Sequence, residues 1–178
     1  MQRVFIGIPV DIQAQQHINS LLRPLKESRG DIRWVPEINR HLTLAFLGDV
    51  PVAEVDILMG LFDETYGKER QFSYSLSMLT RFPKSTGRII ALTGESDRSL
   101  DNLFKITLKL LQNNKQSTDP REFRSHVTVG RLKRPKQVKT AFDQRTNIHL
   151  EIGRIVLYQS TLTESGPIYS VLKDTKLG

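Results

Sequence analysis

The chain has 178 residues, 38% hydrophobic and 25% charged, which is enough to bury a sizeable core as one domain or two intimate lobes. It has no cysteine, which excludes disulfide scaffolds, thiolate metal sites and cysteine nucleophiles, and fits a reducing cytoplasm. Twenty-six Lys and Arg against 19 Asp and Glu give a net charge of +7, a balance that favours a polyanionic partner, nucleic acid first, over an inert basic surface.

Val4 to Val10 reads as a compact apolar strand, too short for a signal-peptide core or a membrane span. Residues 11 to 29 read as a helix with Ile18, Leu21, Leu22 and Leu25 on one face and Pro24 inside it. A strand over Ile32 to Val35 leads into a turn at Pro36 to Asn39. His41 to Leu47 alternates as a strand, closed by Gly48-Asp49-Val50-Pro51, and residues 52 to 66 form a helix ending at Gly67. The second half repeats the alternation. Phe72 to Leu79 is a strand, Phe82 to Gly87 a loop and Arg88 to Thr93 a strand. Residues 97 to 113 form a helix with Leu100, Leu103, Phe104, Leu108 and Leu111 on one side. A polar connection over Asn113 to Pro120 precedes a strand at 125 to 132, then a short helix near 137 to 145. Residues 148 to 162 read as one long strand or two, and Gly166-Pro167 turns the chain into a last strand, Ile168 to Leu172. Mixed strands and helices in two halves predict an α+β fold of two lobes with pseudo-twofold symmetry.

Each half carries one His-x-Thr strand, His41-Leu42-Thr43-Leu44 and His126-Val127-Thr128-Val129. Alternation puts His41 and Thr43 on one face with Ala45 and Leu47, and Leu42, Leu44 and Phe46 on the other. It likewise pairs His126 with Thr128 and Gly130, against Val127 and Val129. Each strand then buries an aliphatic face and presents an imidazole beside a hydroxyl. Histidine gives or takes a proton near neutral pH, and a threonine hydroxyl donates to a phosphoryl oxygen. Two such pairs facing each other supply an acid, a base and two anion contacts. That is the set needed to hydrolyse a cyclic phosphodiester in line, one imidazole activating water and the other protonating the departing ribose oxygen. The chemistry requires no metal or cofactor.

The residues resemble the two-histidine phosphoesterases, and among them the RNA 2′,3′-cyclic phosphodiesterases, also called 2′-5′ RNA ligases. The resemblance runs through Arg3-Val4-Phe5-Ile6-Gly7-Ile8, Arg33-Trp34-Val35-Pro36, Asn39 to Val50, Phe82-Pro83, Arg88-Ile89-Ile90, Phe123 to Arg131, Leu157 to Leu162 and Gly166-Pro167-Ile168-Tyr169. It implies a bilobal α+β fold over residues 1–178, with antiparallel sheets lining a central cleft, helices outside and one motif per lobe. It also implies hydrolysis of RNA 2′,3′-cyclic phosphate ends to 2′-phosphates. On that resemblance His41 is the proton donor to the leaving 3′ oxygen, His126 is the proton acceptor that activates water, and Thr43 and Thr128 hold the phosphate. The resemblance further implies weak reverse 2′-5′ joining of tRNA halves; a cytoplasmic monomer with no membrane partner is expected. The chain has Ser125 before its second histidine where relatives often carry proline.

Arg131 stands where relatives have an arginine near the phosphate, yet alternation sets it with Val127 and Val129, away from His126. It reaches the site only if the strand ends or twists at Gly130. Trp34 suits stacking on a base beside the cleft as well as a place in the core. Phe5 and Tyr169 read as packing residues, and His17 and His149, with no threonine two residues on, as structural or surface. The basic clusters at Arg121 to Arg124 and Arg131 to Lys136 flank His126; Arg124 and Lys133 are candidates for RNA backbone contacts, against the ordinary reading of solvated charge. Two alternatives stand beside the leading reading. One is the same chemistry on another 2′-5′ or cyclic nucleotide substrate; the other is a non-catalytic RNA-binding module.

Overall fold

The computed structural model of the chain describes residues 1–116, 123–134, 143–164 and 166–178. In chain order its elements are β1 (Gln2–Pro9), α1 (Ile12–Ser28), β2 (Ile32–Trp34), a 3₁₀ turn (Glu37–Asn39), β3 (His41–Val50), α2 (Val52–Tyr66), β4 (Phe72–Phe82), β5 (Ile89–Thr93), α3 (Arg98–Asn113), β6 (His126–Leu132), β7 (Gln144–Ile152), β8 (Arg154–Thr163) and β9 (Gly166–Lys176). The expected helix near 137 to 145 falls largely outside the described residues, and its last two positions, Gln144 and Arg145, open β7 instead. The basic residues Arg121 and Lys136 also lie outside them.

The strands form one antiparallel sheet of nine, in the order β7-β4-β5-β6-β3-β1-β8-β9, with β2 paired to β6. Its centre is a pseudo-twofold point. On one side β1 leads through α1 to β3, its antiparallel neighbour. On the other β5 leads through α3 to β6, again its neighbour. The two halves meet where β3 pairs with β6, through one register pair, Leu42 opposite Val127. The stretch expected as one long strand or two is two: β7 pairs with β4 at one edge, and β8 with β1 in the other half. The break falls at Gly153, between them.

β1 lies between β3 and β8, and its run Val4 to Ile8 is buried throughout. Both crossover helices start on an aspartate. Asp11 Oδ1 accepts from the backbone N–H groups of Gln13 and Ala14, and Asp97 Oδ1 from those of Ser99 and Leu100, all at 2.9 Å. This satisfies donors that a helix start leaves unpaired. Asp11 Oδ2 also accepts from Glu151 N, which pins α1 to β7. α1 packs against β7, α3 against β3 and α2 against β9. The crossover helix of each half therefore lies against a strand of the other half, and the buried side chains merge into one core. α3 buries Leu100, Leu103, Leu110 and Leu111 together with Thr107, whose hydroxyl meets the Tyr66 hydroxyl at 2.9 Å. Among the described residues no helix is long and apolar enough to cross a membrane.

Candidate active site

Leu42 and Val127 are fully buried, and their neighbours along β3 and β6 point to the opposite face. Counting antiparallel from that pair sets His41 level with Thr128 and Thr43 level with His126. The four side chains then occupy the corners of a rectangle of roughly 7 Å by 5 Å, with the imidazoles at opposite corners. All four line one cleft of about 660 Å³.

The two imidazoles are held in the same way. His41 Nδ1 lies 2.9 Å from the Asn39 carbonyl oxygen, and His126 Nδ1 lies 2.8 Å from that of Arg124. A carbonyl oxygen only accepts, so each Nδ1 carries the hydrogen and donates it. Each neutral ring then keeps its Nε2 lone pair for the cleft. An aromatic ring backs each one: Phe5 lies 4.6 Å from His41 and Phe82 4.0 Å from His126, ring centre to ring centre. Tyr169 adds an edge-on contact to His41 at 5.3 Å. Gly7 keeps the first ring's space open, because a Cβ there would lie 3.3 Å from His41 Cδ2 and 3.1 Å from the Leu42 carbonyl.

Burial pushes the His41 pKa down to about 4, the Asn39 carbonyl opposing the shift and His126 adding to it. His126 is also lowered, first by burial, against the Arg124 carbonyl, and further by the positive charges of Arg131 and Arg124. Both rings are therefore neutral at neutral pH, each with Nε2 free to accept a proton.

Simple alternation fails directly after the motif in each half, for the same reason. Ile6 pairs with Ala45 but Gly7 with Thr43, so Leu44 is an extra residue in β3. Ile90 pairs with Gly130 but Ala91 with Thr128, so Val129 is an extra residue in β6. Each bulge directly follows the His-x-Thr triplet and reverses the facing of what comes after it. The fifth residue after each histidine thereby turns onto the cleft face, Phe46 in one half and Arg131 in the other. Alternation sets both on the far face; the bulges correct this. Phe46 is 41% exposed, with the Arg3 guanidinium 4.9 Å from its ring centre. Arg131 is close enough for its charge to act on His126 and on Tyr169.

Trp34 lines the cleft from β2, opposite Gly130, with its indole N–H buried and without a hydrogen-bond partner among the described residues. Gly130 is needed there, because a Cβ would lie 2.7 Å from Ile32 Cγ2 and 3.2 Å from Trp34 Cε3. Phe5 is a buried packing residue whose ring also reaches the cleft wall, and Tyr169 lines the cleft beside it. Arg124 is exposed, its guanidinium over Phe82 and bonded to the Pro83 carbonyl. Lys133 bonds the Gly30 carbonyl and stands outside the cleft lining. His17 and His149 are exposed on α1 and β7. The ring of Phe82 and the orienting carbonyls of Asn39 and Arg124 carry no residue-type signal. The two carbonyls were legible only as the repeated position two before each histidine, and Phe82 only through the family resemblance.

Two consecutive stretches, residues 8–91 and 90–169, match the family model for LigT-like phosphoesterases, one stretch for each His-x-Thr strand. The chain belongs to that family. Two bacterial proteins named RNA 2′,3′-cyclic phosphodiesterase are similar to it. That of Thermotoga maritima is 29% identical, covering 96% of this chain and 92% of the relative; that of Aquifex aeolicus is 31% identical, covering 82% of each. A crystal structure of a Thermus thermophilus protein shares the fold, with a TM-score of 0.85 at 21% identity over 98% of this chain and 97% of the other.

Proposed function

We propose that this chain hydrolyses RNA 2′,3′-cyclic phosphate termini to 2′-phosphates, by acid–base chemistry of His41 and His126 without a metal. The observation that carries this is the pairing of Leu42 with Val127, which brings two tautomer-fixed imidazoles, each on a strand with a threonine two residues on, into one cleft. A phosphorus atom at its centre has one Nε2 on either side, as in-line displacement requires. His126 takes a proton from water as the water oxygen bonds to phosphorus. The bond from phosphorus to the 3′ oxygen breaks, and His41 gives that oxygen a proton. The product carries a 2′-phosphate and a free 3′-hydroxyl. Each proton transfer contributes about 10²–10⁴-fold. Thr43 and Thr128 donate to the non-bridging oxygens, and the Arg131 guanidinium adds charge where the transition state gathers it.

The division of labour between the imidazoles rests on the family resemblance. Phe5, Tyr169 and Phe46 stand in the half that carries His41, the side of the ribose and base. Arg131 and Arg124 stand in the half that carries His126. Trp34 adds apolar wall for the base. His41 is neutral in the empty protein and acts as acid once protonated; the anionic substrate favours that proton. A 5′-hydroxyl in the place of water gives the reverse joining of RNA ends by a 2′-5′ bond, tRNA halves among them. All these groups come from one chain, so a monomer suffices, and no membrane is involved.

The test is an oligonucleotide ending in a 2′,3′-cyclic phosphate. His41→Ala and His126→Ala each abolish turnover in folded protein, EDTA leaves wild-type turnover intact, and the product is a 2′-phosphate. Full activity in either variant removes this mechanism. A panel including 2′-5′ oligonucleotides and cyclic mononucleotides ranks the substrates. No turnover of any of them, with RNA binding retained, establishes a binding module instead.

A further inference from the structure

Between each histidine and the carbonyl that orients it stands one residue whose side chain turns inward. These residues are Arg40 and Ser125, and both are bolted to a neighbouring element. Arg40 is 3% exposed. Its Nη1 donates to Gln15 Oε1 and Asn19 Oδ1 on α1 at 2.8 Å each, and its Nε to the Val35 carbonyl at 3.3 Å. Gln15 in turn donates to the Glu37 carbonyl at 2.9 Å. The segment from Val35 to Arg40 is thereby fastened to α1 at three points, and Asn39 Nδ2 fastens it to the Pro167 carbonyl across the cleft. In the other half the Tyr74 hydroxyl donates to the Glu95 carbonyl at 3.0 Å, which leaves the Ser125 hydroxyl to donate to the Tyr74 oxygen at 2.5 Å. Tyr74 is 2% exposed.

A buried guanidinium is a costly way to fill volume. An apolar side chain of similar size is often neutral or stabilising in such a place. What the fork offers and an apolar chain does not is direction: several donors in one plane, aimed at fixed acceptors. The direction they fix is that of the Asn39 carbonyl, one residue away.

We propose that Arg40 and the Ser125–Tyr74 pair are positioning residues, which hold the Asn39 and Arg124 carbonyls and so keep both imidazoles in the Nδ1–H tautomer with Nε2 toward the substrate. This rests on His41 and His126 being the acid–base pair. The same role is filled by different chemistry in the two halves, a charged fork to a helix in one and a hydroxyl relay to a strand in the other.

The test uses Arg40→Met and Tyr74→Phe in the full chain, with Ser125→Ala and Ser125→Thr as the loss-and-rescue pair. Three quantities are read: kcat and KM on a 2′,3′-cyclic phosphate oligonucleotide, thermal midpoint, and the histidine ring tautomers by long-range ¹H–¹⁵N correlation. The expected result is kcat lower by about 10- to 100-fold with KM within about twofold, and a mixed tautomer at the histidine of the affected half. Ser125→Thr restores both. Where Arg40→Met does not fold, Asn19→Ala removes one acceptor of the fork and carries the same expectation on a smaller scale. Folded variants with wild-type kcat overturn the proposal, and so does a loss of kcat with the tautomers unchanged, which marks a packing role only. Activity in His41→Ala or His126→Ala sinks the functional reading, while the tautomer measurement still judges this one.

Discussion

The two imidazoles share a motif, a tautomer and an aromatic backing, yet burial moves His41 further, to about 4. A histidine whose folded pKa is depressed stabilises the protein as the neutral ring. That contribution is complete above the unfolded value near 6.5 and is lost as pH falls from there through about 4. The thermal midpoint is therefore expected to fall across this window, and His41→Phe to flatten the fall; an unchanged slope in that variant refutes it. The rate follows the base as well. In the proposed mechanism protonated His126 cannot activate water, so kcat/KM is expected to drop on the acid side, with the limb below the ordinary histidine value because the folded pKa is lowered. The threonines test the anion contacts. Thr43→Val and Thr128→Val keep the shape and remove a donor, and each is expected to lower kcat/KM by roughly 10- to 100-fold, measured on the same oligonucleotide.

Bulges decide which residues the strands present. Leu44 and Val129 are the extra residues that directly follow the motifs, and without them Phe46 and Arg131 face away from the histidines. The two positions are equivalent by pseudo-symmetry and differ in chemistry, an exposed ring in one half and a cation in the other. Arg131→Gln is expected to raise KM for the cyclic phosphate and to weaken its salt dependence, since one phosphate contact is lost. Wild-type KM and salt slope in that variant exclude a phosphate contact. β2 depends on the same place. Gly130→Ala drives a methyl group into Ile32 and Trp34, with a cost of about 1–3 kcal/mol from overpacking that denaturant unfolding detects.

The whole molecule is two half-sheets joined at Leu42 and Val127 and laced together by helices that cross to the other half. That single seam sets the spacing of the imidazoles, because each histidine is the immediate neighbour of a seam residue. Leu42→Ala is expected to cost about 2–5 kcal/mol as a buried cavity. It should also lower kcat by more than an equally destabilising change far from the seam, such as Leu150→Ala on β7, a residue that is equally buried. Equal effects of the two on kcat show that the seam does not govern the site.

Much of this was legible in the residues themselves. The His-x-Thr triplets lie in strands because aliphatic residues alternate with them, and each triplet survives as read because it ends before its bulge begins. α1 and α3 follow from an aspartate cap and apolar residues at helical spacing. Alternation alone misplaced Arg131 and Phe46, because a bulge depends on the partner strand: Leu44 and Val129 are ordinary strand residues, and nothing local marks them as extra. Pairing was hidden for the same reason, with β7 and β8 adjacent in sequence and in opposite halves of the sheet. Arg40 gave no signal either, since its role is written in Gln15 and Asn19, a helix away. The sequence by itself singled out the candidate groups, two imidazoles each beside a hydroxyl, because residue type and strand period are local properties. Only the tertiary structure decided how they face one another, which tautomer each histidine holds and which neighbours join them. Those depend on register and on contacts between residues far apart in the chain.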